Sequence, residues 1–154
     1  MNSKDYMELA IKYAKKAIAL DEVPVGAVLF DEKKQKLISA RHNEIVSTNN
    51  PLNHAEILVI QDGFRMLNSR FLKDTVIYST LEPCIMCAAA ISEARIKKIY
   101  FGAYDEKKGA IENNIRIFNN KNSNYYKPDI YGGIKEKECA ALLKNFFISK
   151  RELN

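Results

Sequence analysis

The sequence predicts an α/β fold, a three-layer α/β/α sandwich around a five-stranded mixed sheet. Three observations predict it. Short apolar runs rich in β-branched residues alternate with stretches of helical periodicity, in the order α-β-β-α-β-α-β-(β)-α. Strands separated by helices of about ten or more residues require crossovers, which make neighbouring strands parallel and place helices on the sheet faces. The first two strands are joined by a short polar turn instead, so they form a hairpin and add an antiparallel edge.

Each element has its own signal. Tyr6, Ala10, Tyr13, Ala14, Ala17 and Ile18 recur at helical spacing, so residues 3–20 read as an amphipathic helix capped by Ser3. Residues 23–30 are short, apolar and β-branched and read as a strand. Residues 31–34 are a polar turn, and residues 36–41 return as the second strand. Pro51 marks a stop, after which a helix opens near His54 and runs to about Leu67. Residues 75–80 form the third strand. A helix opens at Pro83 and Cys84, where proline suits the first turn, and runs through Ala88, Ala89, Ala90 and Ile91 to about Ala94. Residues 98–101 are the fourth strand, and a weaker one lies near Ile130. Residues 135–151 are a last amphipathic helix with Cys139, Leu142, Leu143, Phe146 and Phe147 on one side. Residues 113–124, rich in Asn and Lys, read as a connecting segment.

Composition bounds the class. The chain has 154 residues, 47% hydrophobic and 28% charged, the balance of one globular domain over residues 1–154. A disordered tail, a fibre and a small disulfide knot are excluded. No apolar run approaches the roughly 18–20 residues of a membrane span. The first twenty residues are interrupted by Lys12, Lys15 and Lys16, unlike a secretory signal. The expected location is the cytoplasm, with no membrane partner. The net charge of +5 is uneven: residues 1–77 hold 11 Lys and Arg against 10 Asp and Glu, residues 78–154 hold 13 against 9. A basic second half suits a phosphate-bearing partner, and it equally suits a solvated surface. Three cysteines, an odd number, argue against structural disulfides in that compartment, and Cys84 and Cys87 are spaced C-x-x-C.

Two clusters carry chemistry. His54-Ala55-Glu56 opens one helix and Pro83-Cys84-Ile85-Met86-Cys87 opens another, so both N-termini can point into one crevice beside the sheet. Zinc takes imidazole nitrogen and thiolate sulfur. Cys84 and Cys87 stand three apart, so one helical turn brings both sulfurs to one side, and the positive helix end favours thiolate. His54 is the third ligand. His42 lies at the end of a strand and is not counted. Three protein ligands leave one position open, the mark of a catalytic zinc with bound water. Glu56 sits two residues from His54, placed to take and return a proton. H-x-E with P-C-x-x-C is the signature of zinc-dependent nucleobase deaminases. Read singly, C-x-x-C also fits a redox pair or half of a structural zinc site. The first has no use for His54 and Glu56, and the second lacks a fourth ligand, because Cys139 lies on the apolar face of the last helix and reads as core.

On these residues and several more, the chain resembles the bacterial tRNA wobble-adenosine deaminases, within the zinc-dependent cytidine/deoxycytidylate deaminase superfamily. The resembling segments are residues 21–28 (DEVPVGAV), Asn43, residues 54–56, residues 80–87 (TLEPCIMC), residues 101–103 followed by Asp105 and Lys107, and residues 139–143 (CAALL) with Phe146 and Phe147. Together they span about residues 5–151. The resemblance implies a cytidine-deaminase-like fold, one Zn²⁺ per subunit and a homodimer. It implies hydrolytic deamination of adenosine to inosine at the first anticodon position of an arginine tRNA, with zinc-bound hydroxide attacking C6 of the purine. Glu56 then protonates N1 and the departing amine, and ammonia leaves. Asn43 holds the flipped nucleotide, Pro24 and Val25 line the pocket wall, and Asp105, Lys107, Phe147 and Arg151 meet the anticodon loop. One region departs from the family: after Gly109 and Ala110 the chain reads Ile111-Glu112-Asn113-Asn114, and later Asn124-Tyr125-Tyr126-Lys127. Two other readings share the metal site. One is a deaminase of a free base or nucleoside of the guanine or cytosine type. The other is a catalytically silent zinc or RNA-binding domain.

Overall fold

The computed structural model describes residues 2–119, 121 and 124–153. The first helix, α1 (Ser3–Ile18), starts under Asn2. The Asn2 side chain accepts from the N–H groups of Lys4 (2.9 Å) and Asp5 (3.2 Å), and the Asp5 carboxylate accepts from Asn2 N–H at 2.8 Å. This reciprocal box satisfies amides that the helix leaves orphaned, so the cap is Asn2 and not the expected Ser3. The buried face is Tyr6, Met7, Ala10, Ile11, Ala14 and Ala17. Met7 and Ile11 join it, Tyr13 is half-buried, and Ile18 is exposed in the last turn.

The hairpin follows as β1 (Gly26–Asp31) and β2 (Lys36–His42). The strand begins at Gly26, three residues after its expected start. Pro24 has no N–H to give a ladder, and Val25 N–H turns back to Val23 O at 2.8 Å. Gly26 is where α1 comes closest to the sheet: a Cβ there would lie 1.9 Å from Ala10 O. A four-residue helix, α2 (Ile45–Thr48), then appears that the sequence does not announce. It is held from outside itself. The fully buried Glu22 carboxylate accepts from Val46 N–H and, at 3.3 Å, from Ser47 N–H.

The remaining elements are α3 (Ala55–Leu67), β3 (Thr75–Leu81), α4 (Ile85–Glu93), β4 (Lys98–Ala103), β5 (Asp129–Tyr131) and α5 (Glu136–Leu153). The sheet order is β2-β1-β3-β4-β5. β1 is antiparallel to both β2 and β3, whereas β3, β4 and β5 are mutually parallel. The α3 crossover therefore does join parallel strands, β2 and β3, but it steps over β1, which lies inside the sheet with all six residues buried. Alternation along β1 feeds two cores. Ala27 and Leu29 pack with Val59, Ile77 and Ile91 under α3 and α4, while Val28 and Phe30 pack with Met7, Ile11, Tyr78 and Cys139 under α1 and α5. These are the three expected layers. Between β4 and β5, Ile111, Ile117 and Phe118 are buried and anchor the first part of the connection; residues 120, 122 and 123 of the expected connecting segment lie outside the described residues. No helix among the described residues is long and apolar enough to cross a membrane. The consequence for function is positional: the carboxyl ends of β3 and β4 open together, and the segments that follow them form one crevice, the usual place for a ligand in an open α/β sheet.

Candidate metal centre and active site

His54 is the N-cap residue of α3 and Cys84 the N-cap residue of α4, both in extended backbone and neither giving its side chain to its own helix. Their side chains are thereby free to meet. His54 Nδ1 lies 3.7 Å from Cys84 Sγ and 3.5 Å from Cys87 Sγ. All three candidate ligand atoms fall within 4.8 Å of one another. Zinc bonded to sulfur at about 2.3 Å and to nitrogen at about 2.0–2.1 Å in a tetrahedron sets neighbouring ligand atoms roughly 3.5–3.8 Å apart. The two nitrogen–sulfur separations match that spacing. His42 is turned elsewhere, its Nδ1 2.9 Å from Asn43 O.

The electrostatics fit the same group. A hydrogen bond from Cys87, and then one from His54, lowers the Cys84 thiol to about 4. That same bond to Cys84, with burial, pushes Cys87 far up. The Cys84 partnership raises His54. A divalent cation favours the deprotonated form of all three groups and draws them together. Beside them, Glu56 is 4% exposed, and its Oε1 has no hydrogen-bond partner among the described residues. Burial raises its pKa, so it can hold a proton where an ordinary glutamate would not. An orphaned carboxyl oxygen next to a three-ligand cluster suits a water held at an open fourth position.

The cluster forms part of a cavity of about 960 Å³ that gathers most of the expected site residues. His54, Glu56 and Cys84 line it directly, while Cys87 is buried at 0% exposure. Val25 and Asn43 stand on the wall. Asn43 is committed locally as well: its Oδ1 accepts from Ala55 N–H at 2.9 Å, fixing the first turn of α3 next to His54. Pro24 is buried but does not line the cavity; Val23 and Val25 on either side of it do, because successive residues of this extended stretch face opposite ways. Asp105 and Lys107 come from the β4–β5 connection, and Phe147 and Arg151 from the end of α5. Of the two phenylalanines, Phe146 is core, while Phe147 is 46% exposed and packs edge-on against Phe146 at 5.5 Å.

The family model of the cytidine and deoxycytidylate deaminase zinc-binding region matches residues 1–103, which include His54, Glu56, Cys84 and Cys87. A tRNA-specific adenosine deaminase of Rickettsia bellii is 47% identical over 146 residues, covering 95% of this chain and all of its own length. The chain belongs to the tRNA-specific adenosine deaminase family. A member from Agrobacterium fabrum is 43% identical, with 95% of this chain and 94% of that protein covered. A solved structure from biochemical and structural work on A-to-I editing by tRNA:A34 deaminases superposes with a TM-score of 0.84 at 43% identity, covering 90% of this chain and 99% of the other. Membership makes the chain a zinc-binding enzyme, and His54, Cys84 and Cys87 are the group among the described residues that could hold the metal.

The cavity also contains residues that reading the sequence passes over. Lys108 and Lys150 add cations to the rim beside Lys107 and Arg151, and Lys150 is tied to Asp21 across it. Tyr104 presents a ring braced edge-on against Phe101 at 5.1 Å. Glu82 borders the cavity almost fully buried. A lone lysine or tyrosine in a loop carries no signal in sequence, since its neighbours across the cavity are tens of residues away.

Proposed function

We propose that the chain converts adenosine to inosine at the wobble position of a tRNA anticodon, in an arginine tRNA, and that His54, Cys84 and Cys87 hold one zinc ion per subunit for this reaction. The observation that carries the reading is the Glu56 carboxyl. It is buried, its pKa is raised, one of its oxygens is free, and it stands beside the three-ligand cluster at the base of a cavity with a basic and aromatic rim. When bound there, zinc supplies a Lewis acid that brings the pKa of a water toward about 7.

The chain's own residues supply the rest. Glu56 takes a proton from the attacking water and delivers it to N1 of the purine; it then takes a second proton from the hydroxyl formed on C6 and passes it to the amine, which leaves as ammonia as the C6–N bond breaks. Its dry surroundings raise its pKa, which lets it carry each proton in turn. Asn43, with its oxygen committed to Ala55 N–H, offers its amide hydrogens to the flipped nucleotide. Val25 packs against the base, and Pro24 stiffens the wall behind it. At the rim, Phe147 stacks on an unpaired base, Lys107 and Arg151 meet backbone phosphates, and Asp105 orders the loop that bears Lys107 through a 3.1 Å bond from Lys107 N–H. A cavity near the upper end of the roughly 300–1,000 Å³ common for ligand sites suits a nucleotide with its neighbours better than a free base.

The same reading places the protein in the cytoplasm as a homodimer. A second groove of about 460 Å³, bordered by Ile85, Met86 and Ile115, lies directly against His54 and Cys84. Ile85 and Ile115 are both exposed, and a second copy would cover them. Light scattering on the purified protein is expected to give twice the chain mass, and Ile85→Lys is expected to reduce it. The function itself is tested by incubating an arginine tRNA transcript with the protein and mapping the product. Inosine confined to the first anticodon position supports the reading, and unmodified tRNA overturns it. A transcript with guanosine at that position is the control.

A further inference from the structure

Glu82 lies in the turn between β3 and α4, two residues before Cys84. It is 2% exposed, and no cation neutralises it among the described residues. Five N–H donors do so instead. Oε1 accepts from Asp105 N–H at 3.1 Å and from the Asn113 side-chain amide at 2.6 Å. Oε2 accepts from the backbone N–H groups of Ile111 (3.1 Å), Glu112 (2.9 Å) and Asn113 (3.1 Å). Every donor belongs to residues 105–113, so one carboxylate gathers that whole segment. The fit is close: a Cβ on Gly109 would lie 2.4 Å from the Glu82 carboxyl carbon. The segment also backs onto the metal turn, with Gly109 bridged to Cys84 and Ala110 N–H donating to Pro83 O at 2.9 Å. From this anchorage Asp105 and Lys107 reach the cavity, and the Asp105 carboxylate holds Lys107 N–H and Lys108 N–H at 3.1 and 3.0 Å.

The chemistry of the nest is one-sided. Five donors converge and no acceptor does, so the group at the centre must accept at both oxygens. A glutamine of the same shape turns an NH₂ toward N–H groups and leaves buried donors unpaired.

We propose that Glu82 is a positioning residue for substrate capture: its carboxylate sets the 105–113 segment so that Asp105 and Lys107 stand at the cavity mouth. It acts through that segment and not on the reacting atoms. The substrate side of this inference rests on the tRNA reading above.

The test uses Glu82→Gln in the zinc-loaded protein. Zinc is expected to stay at one per chain. The amides of Asp105, Ile111, Glu112 and Asn113 are expected to exchange hydrogen faster, with those within α3 unchanged. KM for an arginine anticodon stem-loop should rise about tenfold or more while kcat stays within about threefold, the pattern of lost ground-state binding. In a Lys107→Ala background the same substitution should raise KM by less, since the two act in series. Asn113→Ala, which removes a single donor, should show the same pattern at smaller size, and it serves if Glu82→Gln does not fold. Unchanged exchange in the segment, an unchanged KM, full additivity with Lys107→Ala, or loss of zinc with kcat each overturn the proposal. Should the unmodified protein leave the stem-loop untouched, the functional reading fails by itself, and the exchange experiment still decides whether Glu82 holds the segment.

Discussion

The base of the cavity and its rim are built in different ways. The base is local. His54 and Glu56 sit within three residues at the start of α3, Cys84 and Cys87 within four at the start of α4, and only one packing event joins them. The rim is assembled from the β4–β5 connection and the far end of α5, about forty residues apart in sequence. On one side it is held by the Glu82 nest; on the other the end of α5 is seated by buried Phe146, with the exposed Lys150–Asp21 pair beside it. The difference teaches a division of labour. The proposed reacting groups sit at the starts of α3 and α4, two helices packed over the sheet. The groups proposed to choose a substrate sit on a loop set by the Glu82 nest and at the end of a helix seated by Phe146.

That contrast predicts a ranking of effects. Cys84→Ser or Cys87→Ser strikes the base hardest: zinc by elemental analysis is expected to fall from one per chain toward zero. Activity should fall by more than the roughly 10–100-fold seen when only an outer partner of a ligand is removed. Full zinc in either variant would break the ligand assignment. Glu56→Ala comes next and separates chemistry from metal. Zinc should stay stoichiometric while inosine formation drops about 10²–10⁴-fold, the range for a general acid–base group.

The rim variants are milder and of another kind. Phe147→Ala should weaken stem-loop binding by about 1–3 kcal/mol, the worth of one stacked base, with kcat little changed. Arg151→Ala should lower the salt dependence of binding by roughly one unit of slope, as for a single phosphate contact. A kcat effect as large as that of Glu56→Ala would erase the distinction between base and rim.

Legibility in the sequence follows the same line. Cys84 and Cys87 are readable because a spacing of three brings both sulfurs to one side of a helix turn, and His54 and Glu56 because two residues of separation keep both beside the start of α3. The layers and the hairpin are readable from periodicity. Glu82 and Glu22 are not, although both are buried carboxylates, because their partners are backbone amides of distant segments, and an amide leaves no mark in a sequence. The Asn2 cap was hidden behind an equally good candidate one residue on. The sequence does not separate Pro24 from Val25, because a wall reads as a stretch, while an extended backbone turns Val23 and Val25 toward the cavity and Pro24 behind them. The place of β1 between β2 and β3 depends on which strand α3 returns beside, a choice made by the whole sheet and not by any one segment.

The smallest expected effect on activity lies outside both regions and serves as their reference. Asp62 accepts from Ser39 Oγ at 2.6 Å and from Arg41 at 2.9 Å, and it pairs with Arg65. Burial would raise its pKa, but these partners outweigh burial and hold it below the ordinary aspartate value. A carboxylate lowered in the folded state stabilises the fold above its unfolded pKa, and this stability is lost as pH falls through the folded value. Asp62→Asn is therefore expected to cost about 1–3 kcal/mol in urea unfolding at pH 7. The difference should shrink once the pH drops below about 4. Its activity on the stem-loop should not change.

The most direct measurement is the ratio of kcat/KM on an arginine anticodon stem-loop to that on free adenosine, taken on one zinc-loaded preparation with cytidine and guanine beside it. A base that does chemistry under a rim that selects RNA predicts turnover of the stem-loop, ammonia released in step with inosine, and no comparable turnover of any free compound. Efficient deamination of free adenosine, cytidine or guanine, with the stem-loop no better, would contradict it and leave Asp105, Lys107, Phe147 and Arg151 without the role assigned to them.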